Sequence, residues 1–171
     1  TLEAIKENAP LIQEISWERI RVELMKIIGS GHPADGIVML EESGLLKFIL
    51  PELLESKEVP QGGHHIYDVW NHAVESLSEC PSTDAIVRLA TLLHDVGKPR
   101  TLEKQGPRGV TFYGHEVVGA HMVNKIADRL RFSKKQKNRL FTLVRWHMFN
   151  YDPEMTDAAI RRFIKNVGKE N

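Results

Sequence analysis

Several features that mark secreted, membrane-bound or strongly basic proteins are missing from this sequence. Cys80 is the single cysteine, so no intramolecular disulfide can form. No apolar run approaches the length of a membrane span, and no cleavable signal segment is recognisable. The 23 Lys and Arg residues are balanced by 23 Asp and Glu residues, which leaves no overall positive charge to attract nucleic acid. We therefore expect a cytoplasmic protein that needs no membrane and contacts RNA through local patches only.

Common nucleotide-site motifs and strand patterns are also scarce. The glycine-rich stretch 29–36 has neither the G-x-G-x-x-G nor the P-loop arrangement. Asp-x-Asp, the paired carboxylates with which nucleotidyl transfer binds its metal ions, occurs nowhere. The one strand-like segment is 109–113, and residues 100–110 are typical of a polar surface loop. We therefore predict an all-α fold, a helical bundle preceded by a small helical segment.

What the sequence does contain is centred on residues 92–99, LLHDVGKP. Apolar residues recur before the His-Asp pair at helical spacing: Ile86, Leu89, Ala90 and Leu93. A buried helix should therefore carry His94 and Asp95 at its C-terminal end, where Gly97 stops it. An imidazole next to a carboxylate at such a point can turn into one cavity and share a divalent cation. Lys98 adds a positive charge suited to phosphate.

Three further histidines continue the apolar stripes of predicted helices. His72 falls in the helix predicted for 66–77, and His115 and His147 extend the stripes of the two long helices that follow. Such histidines either bind a metal ion inside a helical bundle or hydrogen-bond to the backbone of the core. Asp68, one turn before His72, suits a group that orients a ligand imidazole. From the residues alone both interpretations of these histidines stay open.

The wording and order of these motifs are similar to those of known proteins. The motifs are ILPEL at 49–53, HIYDVWNH at 65–72, LLHDVGKP at 92–99, FYGHE at 112–116 and RRF at 161–163. The His-Asp pair with its flanking histidines resembles the HD superfamily of metal-dependent phosphohydrolases. The whole set resembles the neck and HD portions of bacterial CCA-adding tRNA nucleotidyltransferases of the poly(A) polymerase family. The resemblance covers nearly the whole chain and implies a helical HD bundle without the catalytic nucleotidyltransferase head.

The resemblance implies a set of site residues. The implied metal ligands are His72, His94, Asp95, His115 and His147, the last two holding either a second metal ion or the phosphate itself. Asp95 and Lys98 are the implied catalytic residues. The implied substrate contacts are Lys98, His65 and Arg145. HD enzymes also use a distal Asp as a ligand, for which the candidates are Asp152, Asp157 or a residue beyond Asn171.

The resemblance also divides the chain into parts. Residues 1–55 form a helical neck that is expected to contact tRNA, residues 56–63 a linker, and residues 64–171 the HD metal-binding domain. If the distal Asp lies beyond Asn171, this domain is truncated at its C-terminal end. The adjacent pair His64 and His65 opens the domain, where it either lines the site or stays exposed at the start of a helix.

A dense basic run offers the local patch that RNA binding requires. It comprises Arg129, Arg131, Lys134, Lys135, Lys137, Arg139 and Arg145, with a smaller pair at Arg161 and Arg162. A run of this kind is either an ordinary solvated helix face or an RNA contact. The resemblance to tRNA-handling enzymes gives these two interpretations about equal weight.

Three functions follow as expectations. The first is a metal-dependent phosphohydrolase module, a phosphomonoesterase or 2′,3′-cyclic phosphodiesterase, of a tRNA nucleotidyltransferase-related protein. The second is a non-catalytic RNA-binding body that positions tRNA for a head encoded elsewhere, and the third is a domain that senses nucleotides without turnover. The cofactor is expected to be a divalent Mn, Ni, Fe, Co, Zn or Mg ion. The expected partners are a phosphate ester, a nucleotide or an RNA 3′ end, and tRNA.

Overall fold

The computed structural model of the chain is built from helices. It describes residues 1–61, 68–104, 109–150, 152 and 154–168. The N-terminal part contains α1 (Leu2–Asn8), a 3-10 helix (Ala9–Glu14), α2 (Trp17–Ile28), α3 (Pro33–Glu42), α4 (Leu46–Ile49) and α5 (Pro51–Leu54). The later part contains α6 (Val69–Ser78), α7 (Ala85–Leu93), α8 (Lys98–Thr101), α9 (His115–Arg129), α10 (Lys134–Trp146) and α11 (Asp157–Val167). The prediction of an all-α fold is confirmed.

A two-stranded hairpin is the one sheet in the described residues. β1 (Glu103–Lys104) pairs antiparallel with β2 (Val110–Thr111), with Glu103 opposite Thr111. The strand expected within 109–113 is therefore present, whereas the loop expected for 100–110 begins with the end of α8 and includes β1. The hairpin leads directly into the turn at 112–114 that precedes α9.

A single apolar core joins the N-terminal helices to the later bundle. α7 lies at its centre with Leu89, Leu92 and Leu93 fully buried, and it contacts α2, α6 and α10. Asp84 caps α7 by accepting hydrogen bonds from the amides of Ile86 and Val87. The helix is thus fixed at its N-terminus by a side-chain cap and along its length by packing. No helix of the described residues is long and apolar enough to cross a membrane.

Helix α6 begins later than the sequence indicates. The predicted start near residue 66 lies outside the described residues, and the first turn of α6 starts at Val69. Asp68 has an extended backbone and is the N-cap, since its side chain accepts a hydrogen bond from the amide of Asn71 at 2.7 Å and from that of Glu58 at 2.8 Å. The two oxygens of Asp68 therefore hold a helix end and the preceding segment, and the expectation that this residue orients a ligand imidazole stays a prediction.

A close backbone contact sets the distance between the His-Asp turn and α9. Gly97 has no Cβ atom, and this leaves room for α9. A Cβ atom at this position would overlap the carbonyl oxygen of His115 and lie 2.6 Å from the amide nitrogen of Gly119. Both of these atoms belong to helical backbone, which cannot move aside as a flexible side chain would. The contact thereby positions His115 beside the end of α7.

We expect Gly97→Ala to destabilise the chain by about 2–3 kcal/mol, because α9 must shift away from the His-Asp turn to relieve the overlap. Gly31→Ala is the matched control: it adds the same methyl group where nothing lies within 4 Å, and it should change stability by no more than about 0.5 kcal/mol. Urea unfolding followed by circular dichroism measures both. Equal stability of the two variants would contradict the close contact.

Candidate metal centre

The candidate site is organised around a buried carboxylate. Asp95 is 3% exposed and follows the C-terminal end of α7. Its Oδ2 lies 3.1 Å from the Nε2 of His94 and 3.5 Å from the Nε2 of His72. Its Oδ1 lies 3.3 Å from the Nε2 of His115 and 3.7 Å from the Nε2 of His147. One carboxylate thus faces two pairs of imidazoles, one pair at each oxygen.

Helix ends bring these histidines together. His94 is the C-cap of α7 and His147 the C-cap of α10, while His115 is the first residue of α9. His72 lies within α6, which packs against α7. Within a helix the regular backbone fixes the direction of each side chain. At helix ends this regularity stops, so side chains from several helices can point to one place. The bundle therefore places four imidazoles from four helices around Asp95.

Three of the rings share the same backbone partner pattern. The Nδ1 atoms of His94, His115 and His147 lie 2.7, 2.8 and 2.8 Å from the carbonyl oxygens of Thr91, Phe112 and Val144, in each case three residues earlier. A carbonyl oxygen can only accept, so each Nδ1 donates its hydrogen. In the neutral ring the Nε2 atom then carries a lone pair directed at Asp95. Each ring is both bonded to the backbone and able to act as a ligand.

The donor set fits a divalent metal ion. The Nε2 atoms of His72 and His94 are 3.2 Å apart, and those of His115 and His147 are 3.3 Å apart. Two metal–nitrogen bonds of about 2.0–2.1 Å at a tetrahedral angle place their nitrogens about 3.3 Å apart. In the His115–His147 pair both Nδ1 atoms donate to carbonyls, so in the neutral rings two Nε2 lone pairs face each other and repel unless a cation or a proton lies between them. Two groups could therefore hold an ion, each with two imidazoles and Asp95.

Lys98 is part of the same cluster. Its Nζ lies 2.7 Å from Oδ2 of Asp95, and it donates to Oε1 of Gln61 at 2.9 Å. The ring of Phe112 lies 5.4 Å from the same Nζ, and the side chain of Lys98 is 15% exposed. Sequence reasoning missed Gln61, which sits in the predicted polar linker. No periodicity or motif distinguishes this residue from its neighbours.

Electrostatics keep the carboxylate charged. Burial alone would raise the pKa of Asp95, but hydrogen bonds that His115 and His94 donate when their Nε2 atoms are protonated, and the positive charges of protonated His94 and of Lys98, hold that pKa far below its usual range. Burial lowers the pKa of His115, yet its contacts with Asp95 and with the Phe112 carbonyl outweigh burial and raise that pKa above its ordinary value. Burial, together with the charges of His94 and His115, lowers the pKa of His147. A proton on His115 is thus the natural substitute for a metal ion at the same nitrogen.

Other predicted site residues lie elsewhere. Arg145 is 3.6 Å from Glu116 and stacks over Trp146 at 5.0 Å, so in the described residues its charged contacts are with neighbours of the cluster and not with Asp95. Asp152 and Asp157 are exposed; the first accepts a hydrogen bond from the Glu154 amide, and neither belongs to either candidate metal group. The predicted contact His65 lies outside the described residues, as does its neighbour His64.

Much of the basic run is already paired with acidic side chains. Arg129 binds both carboxylate oxygens of Glu52 at 2.6 and 2.7 Å and also donates to the Ile49 carbonyl. The other ion pairs join Lys137 to Asp128 at 2.6 Å, Arg139 to Asp84 at 2.6 Å and Arg145 to Glu116 at 3.6 Å. These side chains fasten helices to one another. Within the described residues, the exposed members without an ion pair are Arg131, Lys134 and Lys135.

The hydrogen bonds to backbone carbonyls predict the ring tautomers. In metal-free protein at mildly alkaline pH, His94, His115 and His147 should carry the hydrogen on Nδ1, because their Nε2 atoms face another acceptor. Long-range proton–nitrogen NMR correlations distinguish the two tautomers. The exposed His121 serves as an internal control and should favour the ordinary Nε2–H form. Nε2–H tautomers in all three site histidines would contradict the proposed role of the carbonyls.

Comparison with known proteins places this geometry in a family. The HD domain model matches residues 62–166, and the model described as the probable RNA and SrmB-binding site of polymerase A matches residues 1–56. The A-adding tRNA nucleotidyltransferase of Deinococcus radiodurans is 42% identical over 87% of this chain and 35% of its own length. The CC-adding tRNA nucleotidyltransferase of Thermus thermophilus is 37% identical over 96% of this chain and 40% of its own length.

A further relative matches a similar share of the chain. The multifunctional CCA protein of Neisseria meningitidis serogroup A is 33% identical over 88% of this chain and 36% of its own length. The chain therefore spans between a third and two fifths of the length of these relatives. The resemblance inferred from the sequence is confirmed: the chain belongs to the HD-domain family and corresponds to the neck and HD portions of tRNA nucleotidyltransferases of the CCA-adding type.

Proposed function

We propose that this chain is a metal-dependent phosphohydrolase module of a tRNA nucleotidyltransferase-related protein. The observation that carries the proposal is the convergence of two imidazole pairs on the two oxygens of buried Asp95. Core histidines gain nothing from two Nε2 lone pairs that face each other, as those of His115 and His147 do at 3.3 Å in the neutral rings whose Nδ1 atoms donate to carbonyls. Such an arrangement is favourable when a cation is shared, and imidazole with carboxylate suits Mn, Ni, Fe, Co or Zn, with Mg as a further candidate.

Each residue of the cluster has a distinct task in this proposal. His72 and His94 would hold an ion at Oδ2 of Asp95, and His115 and His147 would hold an ion at Oδ1. A divalent ion in this position supplies a bound water of lowered pKa, which can act as a nucleophile near neutral pH. Asp95 is fixed by its partners on both oxygens and orients that nucleophile. The carbonyls behind the rings keep the ligands in place without rearrangement.

Lys98 supplies a positive charge for the phosphoryl oxygens. An ammonium has three N–H donors; that of Lys98 donates to Oε1 of Gln61 at 2.9 Å and forms an ion pair with Oδ2 of Asp95 at 2.7 Å. One donor is thereby left for a substrate oxygen, where it stabilises the negative charge that develops on phosphorus oxygens in the transition state. The phosphate contacts expected from His65 and Arg145 are a separate proposal; the guanidinium of Arg145 lies 3.6 Å from Glu116.

The substrate class follows from the relatives. The matched proteins are named for adding nucleotides to tRNA, so phosphate esters at RNA ends are the natural substrates of a hydrolytic module on the same chain. We propose phosphomonoesters and 2′,3′-cyclic phosphates at the 3′ end of RNA, with free nucleotides as smaller equivalents. Exposure of His72, whose side chain is 34% exposed, gives such a substrate access to the Oδ2 half of the cluster.

Metal content and hydrolysis test the proposal together. Purified wild type loaded with Mn²⁺ or Ni²⁺ should retain metal by elemental analysis and hydrolyse 2′,3′-cyclic AMP or p-nitrophenyl phosphate. Asp95→Ala removes the ligand common to both groups and should abolish retained metal and reduce hydrolysis at least about 10²-fold. His121→Ala, which removes an exposed histidine away from the cluster, is the matched control and should behave as wild type. Wild type that retains no metal after loading would refute the phosphohydrolase proposal.

A second candidate function is RNA binding, which the match of residues 1–56 to an RNA-binding region favours. Arg131, Lys134 and Lys135 add exposed positive charge at the start of α10. Phosphates neutralise such side chains and release counterions, so binding through them weakens with salt. In this proposal the chain holds tRNA while the cluster at Asp95 acts on its end.

Removing the two unpaired lysines tests the RNA contact. Lys134→Ala with Lys135→Ala should weaken the binding of tRNA and reduce the slope of log affinity against log salt by about 1 per lysine. Lys137→Ala is the control, because Asp128 already holds that ammonium at 2.6 Å. Fluorescence anisotropy over a salt series measures both variants. An unchanged slope in the double variant would exclude this part of α10 from the RNA contact.

A further inference from the structure

The two halves of the cluster differ in the positive charge that lies beside the carboxylate oxygen. Oδ2 of Asp95, which faces His72 and His94, already has a cation beside it, because Nζ of Lys98 lies 2.7 Å away. Gln61 accepts from the same ammonium at 2.9 Å, and the ring of Phe112 lies 5.4 Å from it. Three groups therefore hold the charge of Lys98 at this oxygen, and its largely buried side chain has little room to move.

The other half lies farther from this ammonium, although the charge of Lys98 also acts on His115. In the part of the chain that the structure describes, the groups whose ion pairs with Asp95 are formed at Oδ1 are His115 at 3.3 Å and His147 at 3.7 Å. This half is also deeper, since the side chain of His115 is 8% exposed and that of His72 is 34% exposed. A buried site strengthens the attraction between a metal ion and its ligands, because less solvent screens their charges.

We propose that Lys98 acts as a built-in counter-cation at Oδ2, so that the first divalent ion binds to Oδ1 of Asp95 with His115 and His147. The inference rests on the proposed metal-dependent function for the existence of a metal site, and it adds the order in which the halves fill. An ion entering between His72 and His94 meets an ammonium that shares its carboxylate oxygen, and the two positive charges repel each other. The Oδ2 half should therefore bind its ion at least about tenfold more weakly than the Oδ1 half.

This order differs from the one that the resemblance suggests. There, His72, His94, Asp95 and a distal Asp form the minimal metal set, and His115 and His147 come second. The structure reverses the ranking because the carboxylate charge that a metal ion would use at Oδ2 is already compensated. Lys98 then determines how many metal ions the chain holds, in addition to any contact that it makes with substrate.

Equilibrium dialysis against Mn²⁺ alone, with elemental analysis and electron paramagnetic resonance, tests the proposal. Wild type should hold a single tightly bound Mn²⁺. His72→Ala should keep that ion, whereas His147→Ala should lower its affinity at least about tenfold. Lys98→Met removes the charge and should let a second Mn²⁺ bind at least about tenfold more tightly than it does to wild type, with a spin-coupled signal. Lys98→Arg keeps the charge and should keep the single ion.

Two controls keep the outcomes distinct. Lys125→Met removes one exposed lysine away from the cluster and should leave the metal count at the wild-type value, and circular dichroism verifies that each variant is folded. Loss of the tight ion in His72→Ala with its retention in His147→Ala would overturn the order, as would two equally tight ions in wild type. Failure of wild type to bind any Mn²⁺ would instead refute the proposed function itself. If Lys98→Met does not fold, the histidine pair of variants still decides the order.

Discussion

The burial of one carboxylate governs the arrangement of the whole site. A charged Asp95 that is 3% exposed would be strongly unfavourable alone, so every group around it must compensate its charge. Lys98 does so directly, and the imidazoles do so with a proton or a shared metal ion. The helices that carry these groups are therefore coupled through a single side chain. Replacement of that side chain affects all four helices that carry the histidines.

Packing supplies the second constraint, since the charge of Asp95 is compensated only if the helices bring their side chains to the carboxylate. The contact of Gly97 with the backbone of α9 brings the first residue of that helix, His115, next to the end of α7. Arg129, near the other end of α9, binds Glu52 of α5 through both of its terminal nitrogens. A helix held at one end by backbone contact and at the other by a bidentate ion pair has little freedom to slide. The N-terminal helices thereby help to position a ligand that lies far from them in sequence.

The sequence predicts those features that depend on local spacing. The apolar period before His94 correctly places the His-Asp pair at the end of a buried helix. The capping-box pattern of Ser133 followed three residues later by Gln136 likewise opens a helix, α10, with both of its hydrogen bonds formed. Features that depend on distant partners could not be predicted in this way. The partners Glu52 and Asp84 of the basic run lie 77 and 55 residues from Arg129 and Arg139. Asp68 illustrates a different limit, because the pattern of an N-cap does not show that its second oxygen accepts from the amide of Glu58, ten residues earlier. The roles of the cluster residues in metal binding and catalysis stay predictions.

The hydrogen bonds from Nδ1 to carbonyls three residues earlier have a thermodynamic consequence. For His94 and His147 these carbonyls belong to the last turn of a helix, where backbone acceptors otherwise lack partners. Each ring thus completes a helix end while the helix fixes the ring, so the ligands lose their rotational freedom when the chain folds. An ion that arrives later meets a rigid chelate and imposes little additional ordering. The rise in melting temperature that the ion causes should accordingly depend only on the free ion concentration and the dissociation constant, as for a ligand that binds a fully folded protein.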